Sequence, residues 1–148
     1  MTLVLDSSAM LAFLADEPEA QIVEALLIQA DEEAEGEVYA HSLNLAEVFY
    51  DVQSGADAAR AEVEITRLFG LGVRERPDMD GALWRDMADL IAQVRTKSGL
   101  QGTRGNLALG DAAGVALARR LDGDFVTKDR TEIEPLHLAG LVSAIFIR

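Results

Sequence analysis

The chain of 148 residues contains no cysteine. A disulfide framework, a thiolate metal site and a cysteine nucleophile are therefore excluded, and any metal must be held by oxygen or by His41 and His137, whose separation forms no compact metal pattern. No apolar run approaches the ~18 residues of a membrane span, and residues 1–6 lack the basic and apolar regions of a signal peptide. A cytoplasmic protein without membrane association is expected. No Gly-x-Gly-x-x-Gly follows the first apolar run and no Gly-Lys-Ser/Thr loop is present, so the common nucleotide-binding motifs are missing. The Gly-x-Ser-x-Gly elbow is missing too, which speaks against a hydrolase built on Ser7 or Ser8 with His137. Basic residues are scarce: 13 Lys and Arg stand against 26 Asp and Glu, a formal net charge of −13, and none precedes Arg60.

Such a charge ordinarily argues against a nucleic-acid partner, because binding a polyphosphate requires cations that displace its counterions. The distribution softens the objection: residues 95–130 hold seven basic side chains (Arg95, Lys97, Arg104, Arg119, Arg120, Lys128 and Arg130) against four acidic ones. One face is expected to be locally positive, unless these are simply solvated helix and loop charges. With 49% hydrophobic and 26% charged residues the composition is globular, and the length suits one domain across residues 1–148.

Leu3, Val4 and Leu5 form a short continuous apolar run, the pattern of a strand buried on both faces of a parallel sheet, and Asp6 ends it. Ser7 or Ser8 is placed to cap a helix carrying Met10, Leu11, Phe13 and Leu14, and Pro18 opens a second through Ile22, Val23, Leu26 and Leu27. Residues 37–40 read as a second strand. In residues 43–53 a helix presents Leu45, Val48, Phe49 and Val52 on one face and Asn44, Glu47 and Asp51 on roughly the opposite one. A helix over 58–71, a third strand near Val73 and a helix over 79–94 follow. Residues 96–106 are rich in Gly, Ser, Thr and basic side chains, as in a mobile loop within a domain. Asp111 then opens an Ala-rich helix ending near Leu121, Phe125 and Val126 form a fourth strand, and residues 144–147 a fifth. Strands separated by helices imply an α/β three-layer sandwich with a mostly parallel sheet.

In such sheets functional groups gather at the carboxyl ends of the strands. Asp6 and Asp129 lie there, and Asp111, at a helix start, is held near the same edge by the macrodipole and free amides. Two carboxylates ~4 Å apart repel by about 4 kcal/mol at an effective dielectric near 20, so a cluster of them protonates, spreads or recruits a cation. Hard oxygen ligands point to Mg²⁺ or Mn²⁺, which assist in-line attack on a phosphate. Taken singly, each acid has a plainer explanation: Asp6 and Asp111 as helix caps, Asp129 as a turn residue, and Glu47 as an exposed charge opposite an apolar face.

The ordered set LVLDSSAMLAFL, NLAEVFYDV, LGDAAGVALARRL and DFVTKD resembles the PIN-domain ribonucleases over nearly the whole chain, and within them the VapC toxins of toxin–antitoxin pairs, where LVSAIFIR also has a counterpart. The resemblance implies metal-binding acids at Asp6, Glu47, Asp111 and Asp129, hydrogen-bonding support from Ser7 and Thr127, and a place for Asn44 behind those acids. It also implies a five-stranded sheet of order 3-2-1-4-5, a homodimer, and an antitoxin whose basic or apolar segment covers the acidic cleft. The expected activity is metal-dependent endoribonuclease cleavage, with Arg104, Lys128 or Arg130 near the RNA substrate. Two departures bear on substrate choice: Ala108 stands where the family often has Ser, and the glycine-rich stretch over 98–105 is longer than the compact pattern. The rivals are a non-catalytic PIN-like interaction module and a phosphoacceptor receiver domain using Lys128. The receiver needs its aspartate at the end of the central strand and an adjacent early acid, and no such acid accompanies Asp6.

Overall fold

The computed structural model of the protein describes residues 1–95 and 106–148, so Arg104 and nearly all of the glycine-rich stretch fall outside the described residues. The described elements are β1 (Thr2–Leu5), α1 (Ser7–Leu14), α2 (Ala20–Glu32), β2 (Glu37–His41), α3 (Ser42–Gly55), α4 (Ala58–Gly70), β3 (Val73–Arg76), α5 (Gly81–Arg95), α6 (Leu109–Arg120), β4 (Asp124–Thr127), α7 (Arg130–Leu138) and β5 (Ser143–Phe146). The five strands form one sheet in the order β3-β2-β1-β4-β5, and every neighbouring pair is parallel. Parallel strands require crossovers, and the intervening helices supply them.

Alternation along β1 divides the core. Leu3 and Leu5 point into a cluster with Met10, Phe13, Val23, Leu45 and Leu68, contributed by α1 to α4. Val4 points the other way, into a cluster with Leu83, Leu90, Leu117, Phe125 and Ile133 from α5, α6, β4 and α7. A central strand covered on both faces must be apolar throughout, and Leu3, Val4 and Leu5 are fully buried. Full burial of such a side chain contributes about 1.5–3 kcal/mol. Small residues bring α6 close to the sheet: a side chain at Gly114 would lie 2.6 Å from the Phe125 ring.

The helix starts differ instructively from the sequence expectation. Asp6, rather than Ser7 or Ser8, caps α1: its extended backbone leaves β1 and its Oδ1 accepts from the Ala9 N–H at 2.8 Å. Asp80 caps α5 in the same way, accepting from Leu83 N–H at 3.0 Å, which moves that start from residue 79 to Gly81. Helix α6 begins at Leu109, so Asp111 is inside the first turn, still within the amino-terminal dipole. Helix α7 has no counterpart in the sequence reading. It contains Pro135 and buries only Ile133 and Leu136 among its nine residues, a pattern too sparse to reveal a helix.

Candidate active site

Two strand ends place the first pair of acids. Strands β1 and β4 are neighbours with Leu5 opposite Val126, so Asp6 and Thr127 meet where the strands finish. The Asp6 N–H continues the ladder to the Val126 carbonyl at 3.1 Å. The Asp6 carboxylate, 2% exposed, accepts hydrogen bonds from the Ser8 hydroxyl at 2.7 Å, from Ala9 N–H, and from the Thr127 hydroxyl. Burial pushes its pKa up, while these three donors and the nearby Asp129 are smaller influences. The buried Thr127 hydroxyl also accepts from Asp129 N–H at 3.0 Å, linking the two aspartates through one side chain. Asp129 caps α7, its Oδ1 accepting from Glu132 N–H at 3.2 Å. Both aspartates are thus caps and members of an acidic cluster at once.

Helices α3 and α6 deliver the other pair. Glu47 is half-buried rather than solvated, because its carboxylate crosses to α1 and α6. Its Oε2 accepts from Ser7 at 3.1 Å, and its Oε1 lies where a β-carbon at residue 110 would be, 1.8 Å from that position. Gly110 is what admits this approach. One turn earlier on α3, the buried Asn44 donates to the Gly110 carbonyl at 3.1 Å, fixing α3 against the start of α6. The Asn44 carbonyl oxygen, as assigned, has no hydrogen-bond donor among the described residues. Asp111 is pushed up to about 7, first by burial and then by Asp6, Asp129, Glu47 and Glu132. A carboxyl displaced first by burial and then by four others is the electrostatic signature of convergence.

The four acids are assembled without compensation. Among the described residues no Lys or Arg forms an ion pair with Asp6, Glu47, Asp111 or Asp129. The donor set is all oxygen and anionic, the chemistry that suits a hard divalent cation. Its side chains are not closed into a coordination sphere: among the described residues no three His, Asp or Glu groups are arranged to hold a metal ion as they stand. The hydroxyls of Ser7, Ser8 and Thr127 donate to Glu47 and Asp6.

Of the cations named from sequence, Lys128 pairs with Glu17, and Arg130 pairs with Glu134 and lies over the Phe146 ring. Two residues were given no supporting role in the sequence reading. Ser8 bridges β1 and β4, donating to Asp6 and accepting from Lys128 N–H at 2.9 Å; its signal was a hydroxyl two residues after the first acid. Gly110 admits Glu47, and its signal was a glycine immediately before Asp111. The hydrolase pairing finds no support in the hydrogen bonds: His137 Nδ1 faces Val142 and Ala144, whereas Ser8 serves Asp6. His41 is buried structure: Nδ1 accepts from Leu43 N–H and Nε2 contacts the Asp78 carbonyl.

Solved structures similar to this one include VapBC2 from Rickettsia felis, bound to a DNA fragment from their promoter (TM-score 0.72, 12% identity, 99% of this chain and 98% of that chain). VapBC-1 from nontypeable Haemophilus influenzae matches equally well in shape (TM-score 0.72, 9% identity, 99% and 98% covered). VapC20 from Mycobacterium tuberculosis, a sarcin-ricin loop cleaving toxin, is similar at a lower TM-score of 0.62 and 15% identity, covering 86% of this chain and 90% of that one. At these identities the likeness establishes the fold. No curated protein matches the sequence. The PIN domain family does match, over residues 3–133. That span runs from the first strand into the first turn of α7 and takes in all four acids, and this chain belongs to the PIN-domain family.

Proposed function

We propose that this protein is a metal-dependent endoribonuclease, the toxin of a VapC-type toxin–antitoxin pair. The observation that carries the reading is Asp111, whose carboxyl is pushed up to about 7 by burial and by Asp6, Asp129 and Glu47 at one edge of the sheet. A fold has little structural reason to gather one buried and three half-buried carboxylates with no ion-pair partner among the described residues, and strong reason to do so for a cation. Asp6, Glu47, Asp111 and Asp129 would hold Mg²⁺ or Mn²⁺. When bound, such an ion supplies a more acidic water and neutralises charge that develops on a phosphodiester.

The chain's own groups have separate tasks. Thr127 and Ser8 orient Asp6, Ser7 orients Glu47, and Asn44 anchors the first turn of α6. Lys128, Arg130 and Arg104 are assigned to contact the RNA. A basic or apolar segment of an antitoxin is assigned to cover the acidic edge, and the active form is assigned as a homodimer. Structural neighbours include VapBC complexes, which supports a protein partner of this kind.

The test is RNA cleavage by the partner-free protein against a panel of structured RNAs in Mg²⁺, in Mn²⁺ and in chelator, beside an Asp6→Asn variant. Asn is as good a helix cap as Asp, so the variant keeps the α1 cap while removing the charge and one of the two acceptor oxygens. Cleavage that needs both the divalent ion and Asp6 is the expected result. Cleavage that persists in chelator or in the variant overturns the mechanism, and no cleavage in any lane favours the non-catalytic interaction module.

A further inference from the structure

Beside the acid cluster, and sharing Asp129 with it, lies an open cleft of about 490 Å³ lined by Ser8, Lys128, Asp129, Arg130, Thr131 and Arg148. Three of these six are cations, in a chain where acids outnumber bases 26 to 13. All three are held by carboxylates of the same chain. Lys128 Nζ lies 2.5 Å from Glu17 and Arg148 Nε 3.7 Å from Glu19, two acids flanking Pro18 in the turn between α1 and α2. Arg130 pairs with Glu134, donates from Nε to the Arg148 carbonyl at 2.6 Å, and has its guanidinium 4.6 Å from the centre of the Phe146 ring.

We propose that this cleft binds the RNA phosphodiester backbone next to the scissile bond, with Lys128 and Arg148 taking phosphates and Glu17 and Glu19 occupying those cations until RNA displaces them. The inference rests on the ribonuclease reading and adds Arg148, Glu17 and Glu19 to it. A cleft that meets Asp129 on one side can hold a strand whose reactive phosphate lies over the acids. Its volume accommodates a nucleotide-sized group. The pairs to be exchanged are unequal: Arg148 is 67% exposed and 3.7 Å from Glu19, a pair that contributes little, whereas Lys128, 24% exposed, is the more firmly held of the two. A polyanion that replaces two carboxylates also releases its own counterions, which a side-chain carboxylate does not. The acidic turn then raises the threshold for polyanions that reach only the rim, which suits a chain of net charge −13 that must still admit one substrate.

The experiment is fluorescence anisotropy of a labelled single-stranded oligoribonucleotide in chelator over a range of NaCl concentrations. The wild type is compared with R148Q, R148K, E17Q/E19Q and E32Q/E62Q. The last pair makes the same charge change on exposed positions of α2 and α4. R148Q is expected to weaken binding about fivefold and lower the salt slope by about 0.7, the value of one phosphate contact on a single strand. R148K should restore most of that slope. E17Q/E19Q should tighten binding about fivefold, while E32Q/E62Q stays near wild type. The proposal is overturned if R148Q keeps the wild-type slope, if both double variants tighten equally, or if E17Q/E19Q changes thermal stability and not binding. It is overturned as well if neither wild type nor E17Q/E19Q binds RNA. The readouts separate it from the ribonuclease reading: shifted slopes without cleavage in Mg²⁺ or Mn²⁺ sink that reading and keep the cleft, and cleavage with unshifted slopes does the reverse.

Discussion

Replacing Asp111 with Asn should stabilise the metal-free protein at neutral pH while abolishing cleavage. The folded protein holds the Asp111 proton up to about pH 7 because of burial and four neighbouring carboxylates, whereas the unfolded chain releases it near 3.8. Between those values the folded state binds more protons, so stability falls as pH rises through the window and levels off above about 7. The full displacement corresponds to about 4 kcal/mol. Relaxation of the other acids reduces what a variant recovers, so Asp111→Asn should gain about 2–4 kcal/mol at pH 8 and close to nothing at pH 4. For a chain of this length each kcal/mol moves the midpoint by about 2–4 °C. Urea unfolding in chelator at pH 4, 6 and 8 measures the effect. Some fall in stability with pH should survive in the variant, because burial pushes Asp6 up as well. Adding Mg²⁺ at ten times its Kd should stabilise the wild type by about 1.4 kcal/mol and the variant by less. A variant no more stable than wild type at pH 8, with the same pH profile, would refute the idea that this carboxyl is buried among its own kind.

Gly110→Ala should separate site from fold. The new methyl would stand 1.8 Å from Glu47 Oε1, the mobile end of a side chain, and 3.0 Å from its Cδ. The carboxylate must move, so cleavage and divalent affinity should fall at least tenfold, while the unfolding free energy changes by less than about 1 kcal/mol, partly offset by the helix propensity of Ala; undiminished activity would count against a role for Glu47 at that spot. Thr127→Val keeps the shape but removes the donor to Asp6 and the acceptor of Asp129 N–H. It should cost about 1–3 kcal/mol in urea unfolding, whereas Thr127→Ser should retain most of the stability; a Val variant as stable as wild type would show that neither partner depends on the hydroxyl.

How far the sequence could be read depended on the range of the interaction involved. Leu3, Val4 and Leu5 fit a strand covered on both faces because adjacent side chains of an extended segment point to opposite faces, and all three are apolar. The ends of α1 and α5 shifted by a residue or two because Asp6 and Asp80 accept amides three positions ahead, a choice among Asp and Ser that local pattern does not decide. Helix α7 escaped notice because Pro135 reads as a breaker and its core contacts are few. The strand order came from resemblance to a family and not from spacing, since pairing between β1 and β4 joins residues more than a hundred positions apart.

The acids were placed by the same division. Asp6 and Asp129 follow strands that sequence alone locates, so their shared edge was legible from chain order and the rule that parallel strands finish on one side. Glu47 was not. On its own helix it belongs to a polar stripe, and only the packing of α3 against α6, with Gly110 yielding its side-chain volume, turns it inward. The displacement of Asp111 likewise exists only in the folded molecule, because desolvation and the charges of Asp6, Asp129 and Glu47 act through space. The pairing of Lys128 with Glu17, across 111 positions, is of the same kind. Sequence by itself determined which residues carry charge, where strands and most helices run, and that only oxygen or the two histidines could serve a metal. Tertiary structure decided which charges meet and which are buried, because electrostatic energy depends on distance and solvent exposure, and neither is a property of position along the chain.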